Sequence, residues 1–150
     1  MKKINASITA VGSFLPEKIL NNADLEKIVD TNDEWITTRT GIKERRILDK
    51  GIGTSHMAIQ AANTIIKKKK LDPTEIDLVV VATITPDMHA TATAAYVASE
   101  IGASNAFGFD ISAACSGFLY GLSTASAFIE SGRYKKIIWI GADKMSSIVD

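Results

Sequence analysis

Residues 78–82 read LVVVA, Leu78 to Ala82, an apolar run with no polar residue to mark a solvent face. A strand that is half exposed alternates apolar and polar positions. A continuous run of β-branched residues is the pattern of a strand covered on both sides, as in parallel sheets with helices on each face. The flanking sequence should then be helical. From Thr54, the apolar positions Met57, Ala58, Ala61, Ala62, Ile65 and Ile66 recur at helical spacing. Lys67 to Lys70 follow at the negative end of that helix dipole. Asp72-Pro73-Thr74-Glu75 reads as an N-cap, a proline at the first helical position and a capping-box glutamate. After LVVVA, the pattern predicts a helix over 91–101 stopped by Gly102, a strand over 105–109, a helix over 116–131 stopped by Gly132, and a second buried strand over 137–140.

The first third of the chain is less regular. Ile4 to Leu15 reads as a strand or bent hairpin closed by Pro16. Asn22 to Val29 reads as a short helix with Asn22 as its cap, and Asn32 caps a second helix, Asp33 to Thr40, with Gly41 in the left-handed stop position. Strands alternating with helices predict a layered α/β domain with a largely parallel sheet. The sequence ends soon after a strand, a poor place for a complete fold to stop.

Composition supports a packed core and excludes several function classes. The 150 residues are 46% hydrophobic and 23% charged, a balance that disordered chains do not have. Lys plus Arg and Asp plus Glu each number 17, which leaves no net field for nucleic acid, and no nucleic-acid-reading motif is present. The apolar runs are far short of a membrane span, and Met1-Lys2-Lys3-Ile4-Asn5 lacks a secretory apolar core. One cysteine forms no internal disulfide, so a reducing cytoplasm is expected. One Cys and two scattered His offer no zinc spacing. Gly51-Ile52-Gly53 lacks the third glycine of a dinucleotide loop and does not follow a clear buried strand, and there is no Walker motif.

That single cysteine, Cys115, falls between the strand ending near Phe109 and the helix beginning near Ser116. Open α/β sheets bind ligands outside the carboxyl ends of their strands. A helix N-terminus favours negative charge and so favours a thiolate, the reactive form of a thiol. Ala113, Ala114, Ser116 and Gly117 leave the backbone bare enough for a substrate to approach, and the Cys115 N–H could donate to an oxyanion. Cys115 is thus a candidate nucleophile. The competing reading is a small core residue, the commonest role of a free cysteine. A base would have to be His56, near a helix start, or His89, in the loop after LVVVA, and neither position alone places it near Cys115.

Three stretches taken together resemble one family. They are DTNDEWITTRTGIKERR (residues 30–46), DISAACSGFLYGL (110–122) and SGRYKKIIWIGADKMS (131–146). They resemble β-ketoacyl-acyl-carrier-protein synthase III, the initiating condensing enzyme of type II fatty-acid synthesis, and the resemblance runs essentially the whole chain. It implies a thiolase-like fold of two similar halves, each a five-stranded mixed, mostly parallel sheet flanked by helices. Residues 1–150 match the N-terminal half, and the C-terminal half is absent. The resemblance makes Cys115 the acyl-accepting nucleophile of a ping-pong reaction. Acyl-CoA acylates the cysteine, malonyl-acyl carrier protein is decarboxylated, and the resulting carbanion attacks the thioester. It also implies a homodimer and no cofactor, acyl-CoA being a substrate.

By the same resemblance, Trp35 stacks on the CoA adenine, with Thr31 and Arg39 as neighbours at the nucleotide end. The residue types suit the task, since an indole stacks on a purine and a guanidinium binds phosphate. The ordinary alternative is a core-edge tryptophan and a solvated arginine. The family's histidine and asparagine, which support decarboxylation and polarise the thioester, lie in the second half, and His56 and His89 do not match them. Many relatives carry a bulky aromatic residue in the loop at His89-Ala90-Thr91; Ala90 is small, which leaves room for a larger or branched primer. Lys67 to Lys70 read as a solvated helix end or as a steering patch for an acidic carrier protein. Two further readings stay open at this point. One is another thiolase-fold condensing enzyme, of polyketide type or acting on β-ketoacyl-CoA. The other is a non-catalytic thiolase-like module that serves only in assembly.

Overall fold

The computed structural model describes residues 3–149; Met1, Lys2 and Asp150 lie outside the described residues. The chain divides into two compact units, Leu15–Ile52 and Met1–Phe14 with Gly53–Asp150.

The smaller unit contains β1 (Ile19–Asn21), α1 (Asn22–Leu25), α2 (Asp33–Thr40) and β2 (Glu44–Arg46). β1 and β2 pair antiparallel, with Leu20 opposite Arg45. α1 is shorter than its sequence suggests, and Asn21 rather than Asn22 caps it, its side chain accepting the Asp24 N–H at 2.8 Å. Asn22 is buried instead, and its amide is spent on the unit's interior. The Asn22 amide donates to Asp33 Oδ1 at 2.6 Å and to the Ile42 carbonyl at 2.9 Å, and its oxygen accepts from the Arg45 guanidinium. A buried amide must be fully bonded, so one side chain ties α1, the start of α2 and β2 together. α2 has the predicted bounds. Asn32 Oδ1 accepts the Trp35 N–H at 2.7 Å, and Gly41 ends the helix at φ 71°, a left-handed conformation that costs glycine little.

The larger unit is built on α3 (Thr54–Lys69), β3 (Leu78–Ala82), α4 (Thr93–Glu100), β4 (Phe107–Ile111), α5 (Gly117–Glu130) and β5 (Ile137–Gly141). All five residues of β3 are buried, and the strand lies centrally, parallel to β4 on one side and β5 on the other. Val80 sits opposite Phe109 and Trp139. On one face Val79, Val81, Ile138 and Ile140 pack with Ala58 and Ala62 of α3 and Ala94, Val97 and Ala98 of α4. Each fully buried valine contributes about 1.5–3 kcal/mol of transfer free energy. On the other face lies α5, where Gly121 faces Val80 and Trp139. The two helical layers explain why LVVVA has no polar position.

Three expectations need correction. The five strands do not form one mixed sheet among the described residues: three make the parallel sheet, and β1 and β2 form a separate antiparallel pair. Residues 3–14 contain no strand. Their apolar residues call for a surface to pack on, but no strand pairs with them among the described residues, and Gly12 lies against Ala61 and Ile65 of α3 instead. Finally, Asp72 does cap the 3₁₀ turn Pro73–Glu75 through the Thr74 N–H at 2.9 Å, but Glu75 pairs with Lys136 rather than folding back as in a capping box.

Candidate active site

The carboxyl ends of the parallel strands carry the polar groups of the larger unit. β4 ends at Ile111, a 3₁₀ turn spans Ala114–Ser116, and α5 starts at Gly117, so Cys115 stands at the strand-to-helix joint as expected. The cysteine is exposed. The turn is tight. The Ser116 N–H donates to the Ala113 carbonyl at 3.1 Å, and the Gly117 N–H donates to the Ala114 carbonyl. Gly117 lies so close to the end of β3 that an added Cβ would stand 3.0 Å from the Ala82 Cβ. The Cys115 N–H has no acceptor among the described residues. The joint therefore presents a thiol and a backbone donor from the same residue.

The neighbouring strand ends are locked by a network of hydrogen bonds between residues far apart in the sequence. Thr54 Oγ1, at the start of α3, donates to the Thr85 carbonyl at 2.6 Å. Asp143, just after β5, accepts the Ile84 N–H at 2.8 Å and the Thr83 hydroxyl at 3.1 Å. The Lys144 N–H donates to Thr85 Oγ1 at 2.8 Å. Asp87 accepts the Ser55 N–H at 3.1 Å and so caps α3 from the following loop. A side chain at position 53 would collide with the Asp87 carboxylate, hence Gly53. These bonds join residues 31 to 60 positions apart. The only signal in the sequence was a surplus of small polar residues beside buried strands.

Neither histidine has a hydrogen bond to Cys115 among the described residues. His56 packs edge-to-face on Phe14, ring centroids 5.7 Å apart, and His89 is exposed in the loop after β3. Among the described residues no group of three or more His, Cys, Asp or Glu could hold a metal ion. Among the described residues no helix is long and apolar enough to cross a membrane. Lys67 to Lys70 are exposed at the end of α3, with Lys70 as its left-handed cap.

The predicted nucleotide-recognition residues lie in the smaller unit. Trp35 is 53% exposed on α2. Arg39, one turn further on, places its guanidinium carbon 5.0 Å from the Trp35 ring centroid. Both are thus on one side of the helix, and Thr31, half-buried, precedes the Asn32 cap. In the same helix, hydrogen bonds from the Asn22 amide first and the Thr37 hydroxyl second hold the Asp33 carboxyl below the usual aspartate range.

The family model described as 3-oxoacyl-[acyl-carrier-protein (ACP)] synthase III matches residues 109–150, which contain the cysteine turn. The chain is 57% identical to β-ketoacyl-[acyl-carrier-protein] synthase III 2 of Bacteroides thetaiotaomicron over 100% of its own length and 45% of that protein. It superposes on 3-oxoacyl-[acyl-carrier-protein] synthase III from Aquifex aeolicus with a TM-score of 0.90 at 49% identity, covering 99% of this chain and 46% of that one. On the priming β-ketosynthase of the R1128 polyketide biosynthetic pathway the TM-score is 0.94 at 36% identity, covering 99% and 45%. In sequence along its whole length and in its thiolase-like α/β fold, the chain is a relative of the β-ketoacyl-acyl-carrier-protein synthase III proteins, and it spans about 45% of the length of the curated relatives it matches.

Proposed function

We propose that this chain carries the acyl-accepting cysteine and the CoA-recognising segment of a β-ketoacyl-acyl-carrier-protein synthase III, acting in the initiating condensation of fatty-acid synthesis. The observation that carries this is Cys115, exposed on a strand-to-helix turn beside an unpaired N–H, inside the stretch that the family model matches. The Cys115 sulfur attacks the acyl-CoA carbonyl, a new C–S bond forms, and the C–S bond to CoA breaks. CoA leaves as a thiol with the proton given up by Cys115. Malonyl-acyl carrier protein then loses carbon dioxide, and its carbanion attacks the acyl-Cys115 carbonyl. A C–C bond forms, and the cysteine sulfur leaves with its electron pair. The Cys115 N–H is one donor to the oxyanion of each addition. Trp35 stacks on the adenine, with Thr31 and Arg39 at the nucleotide end. The chemistry needs no cofactor.

The same reading makes the protein a homodimer. The single exposed thiol suits a reducing cytoplasm. The similarity to a polyketide priming ketosynthase supports a second reading, the same chemistry on a polyketide carrier. The test is mass spectrometry of the protein after exposure to acyl-CoA. An acyl adduct on Cys115, absent in Cys115→Ser, is expected. No adduct on a folded protein would mean a non-catalytic module. Condensation assays with fatty-acid and polyketide carrier proteins separate the two catalytic readings.

A further inference from the structure

Two non-glycine residues have positive φ among the described residues, Lys70 at 49° and Ala114 at 45°. Lys70 is an ordinary helix end: it caps α3 in the left-handed conformation, exposed to solvent. Ala114 ends nothing. It is the first central residue of the hydrogen-bonded turn Ala113–Ser116, whose second central residue is Cys115. Positive φ at the first central position alone is the signature of a type II′ turn, in which that position favours glycine. The strain is therefore real, and a glycine would remove it.

The surroundings fix this conformation from both sides. Ala113 is itself at φ −152°, ψ 28°, and Gly117 starts α5 against the end of β3. The chain must pass from β4 into α5 within this short span, and the Ser116–Ala113 hydrogen bond closes the corner. Within the turn, φ of Ala114 orients the peptide that joins it to Cys115, and so the direction of both the Cys115 N–H and the thiol. Sparsely populated backbone conformations that the structure over-determines concentrate where geometry is part of the chemistry.

We infer that Ala114 is a positioning residue: its strained turn conformation aims the Cys115 thiol and N–H at one acyl carbonyl, at the expense of stability. This rests on the proposed role of Cys115 as nucleophile. A glycine at 114 would relieve the strain and populate positive and negative φ about equally, so the turn would be easier to form and less well aimed. A serine would keep the Cβ and the restriction.

The experiment compares Ala114→Gly and Ala114→Ser in the full-length natural protein, following acyl transfer from acyl-CoA to Cys115, condensation kinetics and thermal unfolding. For Ala114→Gly the expected result is Tm unchanged or raised, KM for acyl-CoA unchanged, and kcat lower by about tenfold, the scale of a modest misalignment. Ala114→Ser is expected to stay within about twofold of the wild type on that scale. A glycine variant with wild-type kcat overturns the positioning role, as does a serine variant impaired as much as the glycine one. A wild-type protein that takes no acyl group on Cys115 overturns the proposed function and this inference together. Wild-type acylation with an unaffected glycine variant overturns this inference alone.

Discussion

Asp110, in β4, holds the first turn of α4: its Oδ2 accepts the Thr93 N–H at 2.7 Å and its Oδ1 the Ala94 N–H at 2.8 Å. The side chain does the work of an N-cap from 17 residues away, because Ala92 at the cap position has no acceptor. One carboxylate satisfies two of the orphan donors of the helix and meets the positive end of its dipole.

Asp110→Ala should therefore lower stability by about 1–2 kcal/mol, the scale of a lost helix cap. Asp110→Asn keeps one acceptor and should lose less. Urea unfolding with the slope unchanged would measure both. An alanine variant with the wild-type midpoint would mean that solvent replaces the cap without cost.

Trp35→Ala should weaken acyl-CoA binding selectively. The exposed indole already has one face near the Arg39 guanidinium. Loss of a stacking platform costs about 1–3 kcal/mol per base. The KM for acyl-CoA should rise roughly tenfold, on the scale of 1.4 kcal/mol per decade, with little change in the KM for malonyl-acyl carrier protein. Equal changes in both constants would remove the nucleotide role. Arg39→Ala should show the same selectivity, with the salt dependence of the acyl-CoA KM reduced.

Acid should loosen the smaller unit. The Asp33 carboxyl is held below the usual aspartate range by the Asn22 amide and then the Thr37 hydroxyl, and Asp24 is held down by its bond to Lys27. A carboxylate with a depressed folded-state pKa stabilises the fold fully above its unfolded pKa, and that contribution is lost as pH falls through the folded one. Thermal midpoints should thus fall as pH drops below about 4, the unfolded aspartate value. In Asp33→Asn that part of the slope should flatten. An identical acid profile in wild type and variant would show that the Asn22–Asp33 contact adds nothing.

Much of this architecture is legible in the sequence, for identifiable reasons. α2 has its predicted bounds because both of its signals are local, the Asn32 side chain and the left-handed Gly41. LVVVA is the central strand because an apolar run with no polar position has only one stable setting. The joint at Cys115 is also where a strand and a helix had to meet. Several of the misreadings come from a polar side chain that serves a distant partner. A strand expected over 105–109 in fact runs to Ile111, because Asp110 looks like a strand breaker and is a helix cap for α4. Asn22 looks like a cap and is a buried tie. Asp87 and Asp143 close contacts that only the folded chain brings together.

The 150-residue chain by itself should self-associate and should not condense acyl-CoA with malonyl-acyl carrier protein. Phe118, Leu119 and Tyr120, in the first turn of α5, are 46%, 64% and 57% exposed. A contiguous apolar patch beside a candidate nucleophile is an interaction surface. Sedimentation should show concentration-dependent association, reduced by Leu119→Asp with little change in unfolding midpoint. For condensation the chain offers the Cys115 thiol and one N–H donor. His56 packs edge-to-face on Phe14, and His89 is exposed in a loop. Each preorganised oxyanion donor is worth about 10²–10³ in rate, so a chain with a single donor should acylate slowly and not turn over. The decisive measurement is a condensation assay on the chain alone and with the remaining part of a relative added in trans. Activity of the chain alone that disappears in His56→Ala or His89→Ala would place the supporting base within these residues and overturn the assignment of that role to a group elsewhere.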